Sequence, residues 1–371
     1  MRPKVLHIVI SLNHGGLERQ VVLLAGTRDR QNAGSTFIAC LDERGILADH
    51  LPPDVVKCVE ARRNRFPWDV AAVRNIRRII KKEGIDIVHS HNLAAQQYGA
   101  LAAWGIASHV NTQHGPNPHN DGWRDRFKTR LLKSRTDWFS GVSEDTRMVM
   151  IKRGIPQDRV SVIPNCVDVA TFAPRSADSG VKHEFGMPQD ALVVGTIARF
   201  TPEKNLLMLI EAFSKIVEKY PSVFLLIVGD GPDRSVIEKS VYDKGLDRRC
   251  MIVGFQTDVI PFLGVMDIFC LSSASEGISV ALLEAGAMGI PAVVTDVGGN
   301  AEVVRSGING LTVKSNDRDG FANALDRFCR DKSLRKEMGT QAREMVMERY
   351  SLDRVLVAYE GIYDRVRKEG F

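Results

Sequence analysis

Along the chain, short runs of apolar and β-branched residues alternate with longer stretches whose apolar positions recur at i, i+3, i+4 and i+7. That alternation predicts parallel βαβ units. KVLHIVI from Lys4, STFIACL from Ser35, IDIVHSH from Ile85, SHVNTQH from Ser108, DWFSGV from Asp137 and VSVIP from Val160 are expected to be strands of a first sheet. A second series follows: ALVVGTIA from Ala191, VFLLIVG from Val223, CMIVG from Cys250, DIFCLS from Asp267, PAVVTD from Pro291 and GLTV from Gly310. Between them lie amphipathic helices such as DVAAVRNIRRIIKKEG from Asp69, which closes on Gly84, a residue suited to end a helix.

The polar stretch from Pro174 to Gly180 separates the two series and reads as a linker. The expected architecture is α/β: two Rossmann-like, doubly wound domains facing across a cleft, at 1–175 and 185–350. A chain of 371 residues has the length for two such cores. The final segment, LDRVLVAYEGIYDRVRKEG from Leu352, is a terminal amphipathic helix. Residues 352–371 are expected to be able to pack back on the first half, although their letters do not say which half they join. In doubly wound sheets ligands bind outside the carboxyl ends of the strands, so the chemistry belongs on those loops.

Composition narrows the class. Hydrophobic residues make up 44% and charged residues 26%, and no apolar run reaches the roughly 20 residues that span a bilayer. The N-terminal MRPKVLHIVISLNHGG reads as a strand ending in a glycine turn, with no small-residue cleavage site, so a cytoplasmic protein is expected. The six cysteines have no C-x-x-C spacing and suit free thiols. His89 and His91 could suggest a metal, but without a third ligand nearby in the sequence they read as strand-end packing.

The net charge of +5 is uneven: through Arg175, 26 Lys and Arg face 17 Asp and Glu, and beyond it 24 face 28. An anionic acceptor or surface should therefore meet the first half. Nucleic acid is not expected, since no binding motif accompanies the charge and aromatic residues are only 7%.

Candidate chemistry concentrates in the second half. Arg199 and Lys204 flank a Pro turn between a strand end and an amphipathic helix, where cations and free helix N–H groups could hold a diphosphate; the alternative is solvated loop charge. Gly229 and Gly231 in VGDGP either let backbone approach a ribose or base or simply make a turn. In SEGISVALLE from Ser275, Ser279 is the expected N-cap of the helix VALLEAGAM, which leaves Glu276 in the loop and Glu284 on the helix. Glu276 could then reach a sugar hydroxyl, Glu284 two ribose hydroxyls, and the N–H groups of Gly277, Ile278, Ser279 and Val280 the phosphates between them. Asp317 and Asp319 form a literal D-x-D before a helix and read as capping residues.

These segments, together with GGLE at Gly15 to Glu18, TQHG at Thr112 to Gly115, GVSE, IPNCVD and GGNAE at Gly298 to Glu302, stand in the order found in one family. As an ordered set they resemble the retaining GT-B glycosyltransferases of family 4. The resemblance implies a nucleoside-diphosphate sugar donor, UDP-sugar favoured over GDP-sugar, in the second half and a glycan or lipid-linked acceptor in the first, with no metal and no cofactor. It implies that Arg199 and Lys204 hold the diphosphate, Glu284 the ribose and Glu276 the transferred sugar. Gly15 and Gly16 would let backbone approach the phosphates, and His114 would stand beside the reacting sugar, where sequence alone equally allows a structural strand-end role. Cell-surface polysaccharide biosynthesis is the expected setting.

The first half says least about its acceptor. From Gly115 to Arg135 a Pro/Gly/Asn loop leads into a basic helix carrying Trp123 and Phe127. It is either a core stripe with a solvated basic face or a surface that meets anionic lipid on the inner face of the membrane. Two other functions share the architecture: a sugar-nucleotide 2-epimerase and a non-catalytic nucleotide-sugar-binding module.

Overall fold

The computed structural model describes residues 2–13, 15–32, 34–61, 69–115, 130, 132–175 and 179–369. The chain divides into two compact units, Met1–Asn165 with Leu352–Phe371, and Cys166–Ser351.

The sheet of the first unit contains β1 (Val5–Val9), β2 (Thr36–Cys40), β3 (Val56–Cys58), β4 (Ile87–His91), β5 (Ser108–Gln113), β6 (Trp138–Gly141) and β7 (Val160–Val162). Its order is β3-β2-β1-β4-β5-β6-β7, and every pairing is parallel. Six of these strands are the ones predicted; β3, which was not, is a three-residue edge strand whose short apolar run is interrupted by Lys57. The helix Val70–Glu83 shows how locally these elements are specified. Asp69 accepts hydrogen bonds from the Ala71 and Ala72 N–H groups at 2.9 and 3.3 Å, and Gly84 closes the helix at φ 64°. Between the caps, Ala72, Ile76 and Ile80 form the buried stripe at four-residue spacing.

The closing helix, Leu352–Glu369, packs on the first unit and fixes it with polar contacts. Glu360 accepts from buried Arg28 at 2.7 Å, and the Ser108 hydroxyl donates to the Val366 carbonyl at 3.1 Å. Arg28 also donates to the Ser35 carbonyl at 2.8 Å, to the Thr36 hydroxyl at 3.0 Å and to the Pro3 carbonyl. One guanidinium thus ties strand entries to the last helix.

The sheet of the second unit contains β8 (Leu192–Ile197), β9 (Val223–Val228), β10 (Cys250–Gly254), β11 (Ile268–Leu271), β12 (Ala292–Thr295) and β13 (Gly310–Val313), all predicted. Their order is β10-β9-β8-β11-β12-β13, again wholly parallel. Strand residues alternate between two cores. Val193, Phe224, Leu226, Val228, Phe269 and Leu271 face one, and Val194, Leu225, Ile227, Ile268, Cys270 and Val293 the other. Helices on both faces explain why these strands read as continuous apolar runs. The boundary between the units falls ten residues before the expected one at 175, because Val167 bridges to Ser351 and belongs to the second unit's core. Of the anticipated linker, residues 176–178 lie outside the described residues. Among the described residues no helix is long and apolar enough to cross a membrane.

Replacing Arg28 by Met should lower the unfolding free energy by about 3 kcal/mol, the low end for breaking a buried ion pair because Glu360 keeps some solvent. Arg28→Lys should recover little of it, since an ammonium cannot reproduce the fork. Urea unfolding at pH 7 checks both; an unshifted midpoint for Arg28→Met would remove Arg28 from the unit's frame.

Candidate active site

The strand order of the second unit reverses between β8 and β11. At such a switch point neighbouring strands send their connections over opposite faces, and a crevice opens at their carboxyl ends. Both predicted charge-bearing loops leave from there. After β8 the chain passes Arg199 and makes a short 3-10 turn, Pro202–Lys204, whose last carbonyl and Asn205 are held by the Ser272 hydroxyl at 3.0 and 3.1 Å. The Ala274 N–H donates to the Glu203 carbonyl at 2.8 Å, so the loops after β8 and β11 are stitched together by main chain as well.

The stitching brings Lys204 onto Glu276 in a close ion pair, and the Ser273 hydroxyl donates to the same carboxylate oxygen at 2.8 Å. The Glu276 carboxylate is 9% exposed and the Lys204 side chain 24%, so the pair is largely desolvated and its attraction is stronger than on an open surface. Arg199 is exposed, and among the described residues its guanidinium makes no hydrogen bond or ion pair. Sequence reasoning paired Arg199 with Lys204; the structure pairs Lys204 with Glu276.

Ser279 caps the helix Val280–Ala287 by accepting from the Leu282 N–H at 3.4 Å. Ile278 and Val280 are buried, as is Gly277. Glu284 is 5% exposed on a helix that is buried nearly all round, where a carboxylate needs polar partners. The loop carrying Glu276 is buttressed by the GGNAE turn: the Gly299 N–H donates to the Gly277 carbonyl at 2.7 Å. Gly298 sits at φ 53°, and a side chain there would strike the Glu276 carbonyl. Gly298 is the support that the motif contained and the sequence reading did not assign.

Of the two readings of VGDGP, the structure supplies a packing reason. Gly229, at φ 137°, lies against the Ala198 carbonyl, and Gly231 against the Phe200 backbone, so the glycines let the β9 loop nest under the loop that bears Arg199. Asp317 caps the helix Arg318–Arg330 through the Gly320 N–H at 2.8 Å, and Asp319 pairs with Lys215. Asp317 is thus the expected N-cap, whereas Asp319 is an ion-pair partner in the first turn of the helix and not a second cap.

In the first unit, Gly15 and Gly16 open the helix Gly16–Gln31, and a side chain at Gly15 would meet the Glu18 carboxylate. His114 follows β5, half-buried, with its N–H donating to Asn92 Oδ1 at 2.9 Å. Its ring lies between two partners: Nε2 is 3.0 Å from His91 Nδ1, and Nδ1 is 3.2 Å from Asn165 Oδ1. His91 Nε2 is in turn 3.0 Å from His7 Nδ1.

The expectation that His89 and His91 lack a third ligand nearby is corrected here. Register pairs His7 with His89 across β1 and β4, and the three buried imidazoles present nitrogens within 4.8 Å of one another. Sequence distance hid the third histidine, which arrives from a neighbouring strand. The Gly115 to Arg135 segment is described only at Gly115, Arg130 and 132–135, so its surface reading lies outside the described residues.

Residues 181–345 match the family described as glycosyl transferases group 1, and residues 14–171 match glycosyltransferase family 4. A UDP-Gal:alpha-D-GlcNAc-diphosphoundecaprenol alpha-1,3-galactosyltransferase of Escherichia coli is 30% identical over 281 residues, covering 72% of each chain. An N-acetyl-alpha-D-glucosaminyl L-malate synthase of Bacillus anthracis is 27% identical, over 82% of this chain and 81% of the relative. Among solved structures, Anabaena HepE in complex with UDP-glucose is similar with a TM-score of 0.85 at 19% identity, over 98% of this chain and all of that one. A glycosyltransferase of Rickettsia africae has a TM-score of 0.85 at 23% identity, over the whole of both chains. The chain belongs to glycosyltransferase family 4, with the GT-B fold of two Rossmann-like units. It is a glycosyltransferase.

The buried histidines make stability depend on pH. Desolvation, aided by the nearby Arg28 charge, pushes His7 down to about 3; desolvation also takes His109 to about 3, against a raising contribution from the backbone at Arg135. Both are neutral in the folded chain and titrate near 6.5 when exposed. Between those values the unfolded chain binds more protons, so stability is intact above pH 6.5 and falls as pH drops, by up to roughly 1.4 kcal/mol per pH unit for each histidine. Urea midpoints at pH 7.5 and 5.5 should show the decline. Equal midpoints would mean that these rings are not desolvated.

Proposed function

We propose that the enzyme moves a sugar, with retention of anomeric configuration and without a metal ion, from a UDP-sugar to a glycan or lipid-linked acceptor in surface polysaccharide synthesis. The observation that carries this reading is the ion pair of Lys204 with Glu276 across two stitched loops at the β8/β11 switch point, with exposed Arg199 on the same loop as Lys204 and Glu284 buried on the following helix. Support for the donor comes from HepE, solved with UDP-glucose, and from the galactosyltransferase relative whose name specifies a UDP-Gal donor and a diphosphoundecaprenol-linked acceptor.

The chemistry follows from charge. Breaking the anomeric C–O bond leaves a nucleoside diphosphate with growing negative charge. Fixed cations in a water-poor site stabilise it without reorganising at the moment of reaction. A bound diphosphate competes with Glu276 for Lys204. When Lys204 turns to phosphate, the Glu276 carboxylate keeps its Ser273 bond and becomes available to a sugar hydroxyl, so donor binding exchanges one ion pair for two substrate contacts. Arg199 adds the second cation, and Glu284 accepts from the ribose hydroxyls. The departing phosphate oxygen takes the acceptor's proton, with the acceptor entering from the leaving-group face. The first unit takes the acceptor, and His114 stands beside the transferred sugar.

Lys204→Ala should lower turnover by roughly 100- to 1000-fold, the scale of one strong transition-state donor. The assay is release of nucleoside diphosphate in the presence of lipid-linked acceptor. Unchanged turnover in folded protein would remove Lys204 from the site, and conversion of donor alone to a second nucleotide sugar would make the enzyme a 2-epimerase. In a thermal-shift comparison of UDP, GDP and ADP sugars, UDP-sugars should raise the Tm most, because a ligand specific to the folded state stabilises it in proportion to RT ln(1 + [L]/Kd). A larger shift with GDP-sugars would overturn the choice of base.

A further inference from the structure

The contacts of His114 continue inward as a row of rings. His7 at β1, His91 at the end of β4 and His114 after β5 stand one hydrogen bond apart, at 3.0 and 3.0 Å, and the row ends on the Asn165 amide at 3.2 Å. Each link joins an Nδ1 to an Nε2, and this repeat constrains the protons. A carbonyl oxygen only accepts, so Asn165 Oδ1 favours a proton on His114 Nδ1, and that tautomer is fixed only when His91 Nδ1–H also fills Nε2; without His91 the 3.2 Å amide contact alone does not hold it. In the row His114 Nε2 accepts from His91 Nδ1–H, and His91 Nε2 accepts from His7 Nδ1–H. All three rings take the same neutral tautomer, head to tail. While the neighbouring rings keep these tautomers, a second proton on His91 or His114 would set two donors against each other at one link.

We propose that His7 and His91 are positioning residues that hold His114 as a neutral Nδ1–H imidazole in one fixed ring plane. The role of His114 itself rests on the glycosyltransferase reading given above. Beside a sugar whose anomeric carbon becomes electron-poor, a ring locked neutral adds no opposing charge, and a ring that cannot turn keeps its main chain in register with the substrate. The row does not serve as a proton route: it runs from half-buried His114 to His7, which is 1% exposed in the interior. It does not serve as a metal site either. Both nitrogens of His91 are used in the row, and those of His89 are taken by the Tyr363 hydroxyl and by Thr112, each at 2.7 Å. Zinc–nitrogen bonds of about 2.0–2.1 Å would require several of these contacts to break at once.

The test is the histidine ring nitrogen spectrum of uniformly 15N-labelled full-length protein at pH 7.5, assigned with His114→Gln. His114 in the natural protein should show a single neutral Nδ1–H tautomer. In His91→Leu it should become a mixture, and in His91→Asn, whose amide can donate from nearly the position of the lost Nδ1, the single tautomer should return. Turnover should fall roughly 10- to 100-fold in His91→Leu with little change in donor KM, the scale of a misplaced group, and recover in His91→Asn. Adding His91→Leu to His114→Gln should cost little more, because both act through one ring. Should His91→Leu fail to fold, His7→Leu gives the same reading one link further back, as a tautomer mixture at His91. The proposal is overturned if His114 keeps its tautomer in His91→Leu, if the natural protein already shows a mixture, or if zinc copurifies in one-to-one ratio and is lost in His7→Leu. An intact tautomer signature in a protein that turns over no nucleotide sugar would leave the positioning row standing and sink the reading of function instead.

Discussion

In a parallel sheet each connection must cross back to the starting end, and its right-handedness decides which face it covers. When the strand order reverses, two adjacent connections are forced to opposite faces and neither can cover the gap between them. The second unit makes this reversal between β8 and β11, and the placing of the candidate site's polar groups depends on that one topological fact. Residues 204 and 276 are far apart in the chain, yet they become neighbours because the strands that deliver them are paired, Ile268 against Val194. The apolar cores on both faces supply the burial energy; the crevice at the strand ends is where that burial cannot continue.

Such a crevice would be soft if only side chains lined it. Here the main chain is braced. Ser272 holds the carbonyls of Lys204 and Asn205, Glu203 accepts from Ala274, and the Gly298–Gly299 turn lies directly on the backbone of Glu276 and Gly277. Each brace gives a backbone group of an irregular loop a fixed partner within the protein. The same hydrogen bonds that permit irregular loops therefore fix where their charges stand, as preorganised electrostatic stabilisation demands.

How much of this was legible depended on the range of the interaction. The apolar runs gave twelve of the thirteen strands among the described residues, because burial on both faces leaves a continuous signal, whereas the edge strand β3, three residues interrupted by Lys57, left only a short one. The Ser279 and Asp317 caps could be read because a cap acts within three residues. Arg199, Lys204, Glu276 and Glu284 could be listed as candidates, but not the pairing of Lys204 with Glu276, which depends on strand order. His7 escaped for the same reason: within KVLHIVI it is one polar letter in an apolar run, and only register sets it beside His89. The unit boundary was misplaced because composition points to the polar stretch, while the packing of Val167 ends the first unit earlier.

The closing helix Leu352–Glu369 completes the unit that the ribosome makes first. Glu360 and Tyr363, the partners of Arg28 and His89, are translated after the entire second unit. At about 5–20 residues per second the early sheet waits roughly 10–40 s for them, longer than most domains need to fold. During synthesis the later unit can thus mature before the earlier one, and the nascent N-terminal half spends that interval with buried-to-be Arg28 and His89 lacking the carboxylate and phenol that the last helix brings them.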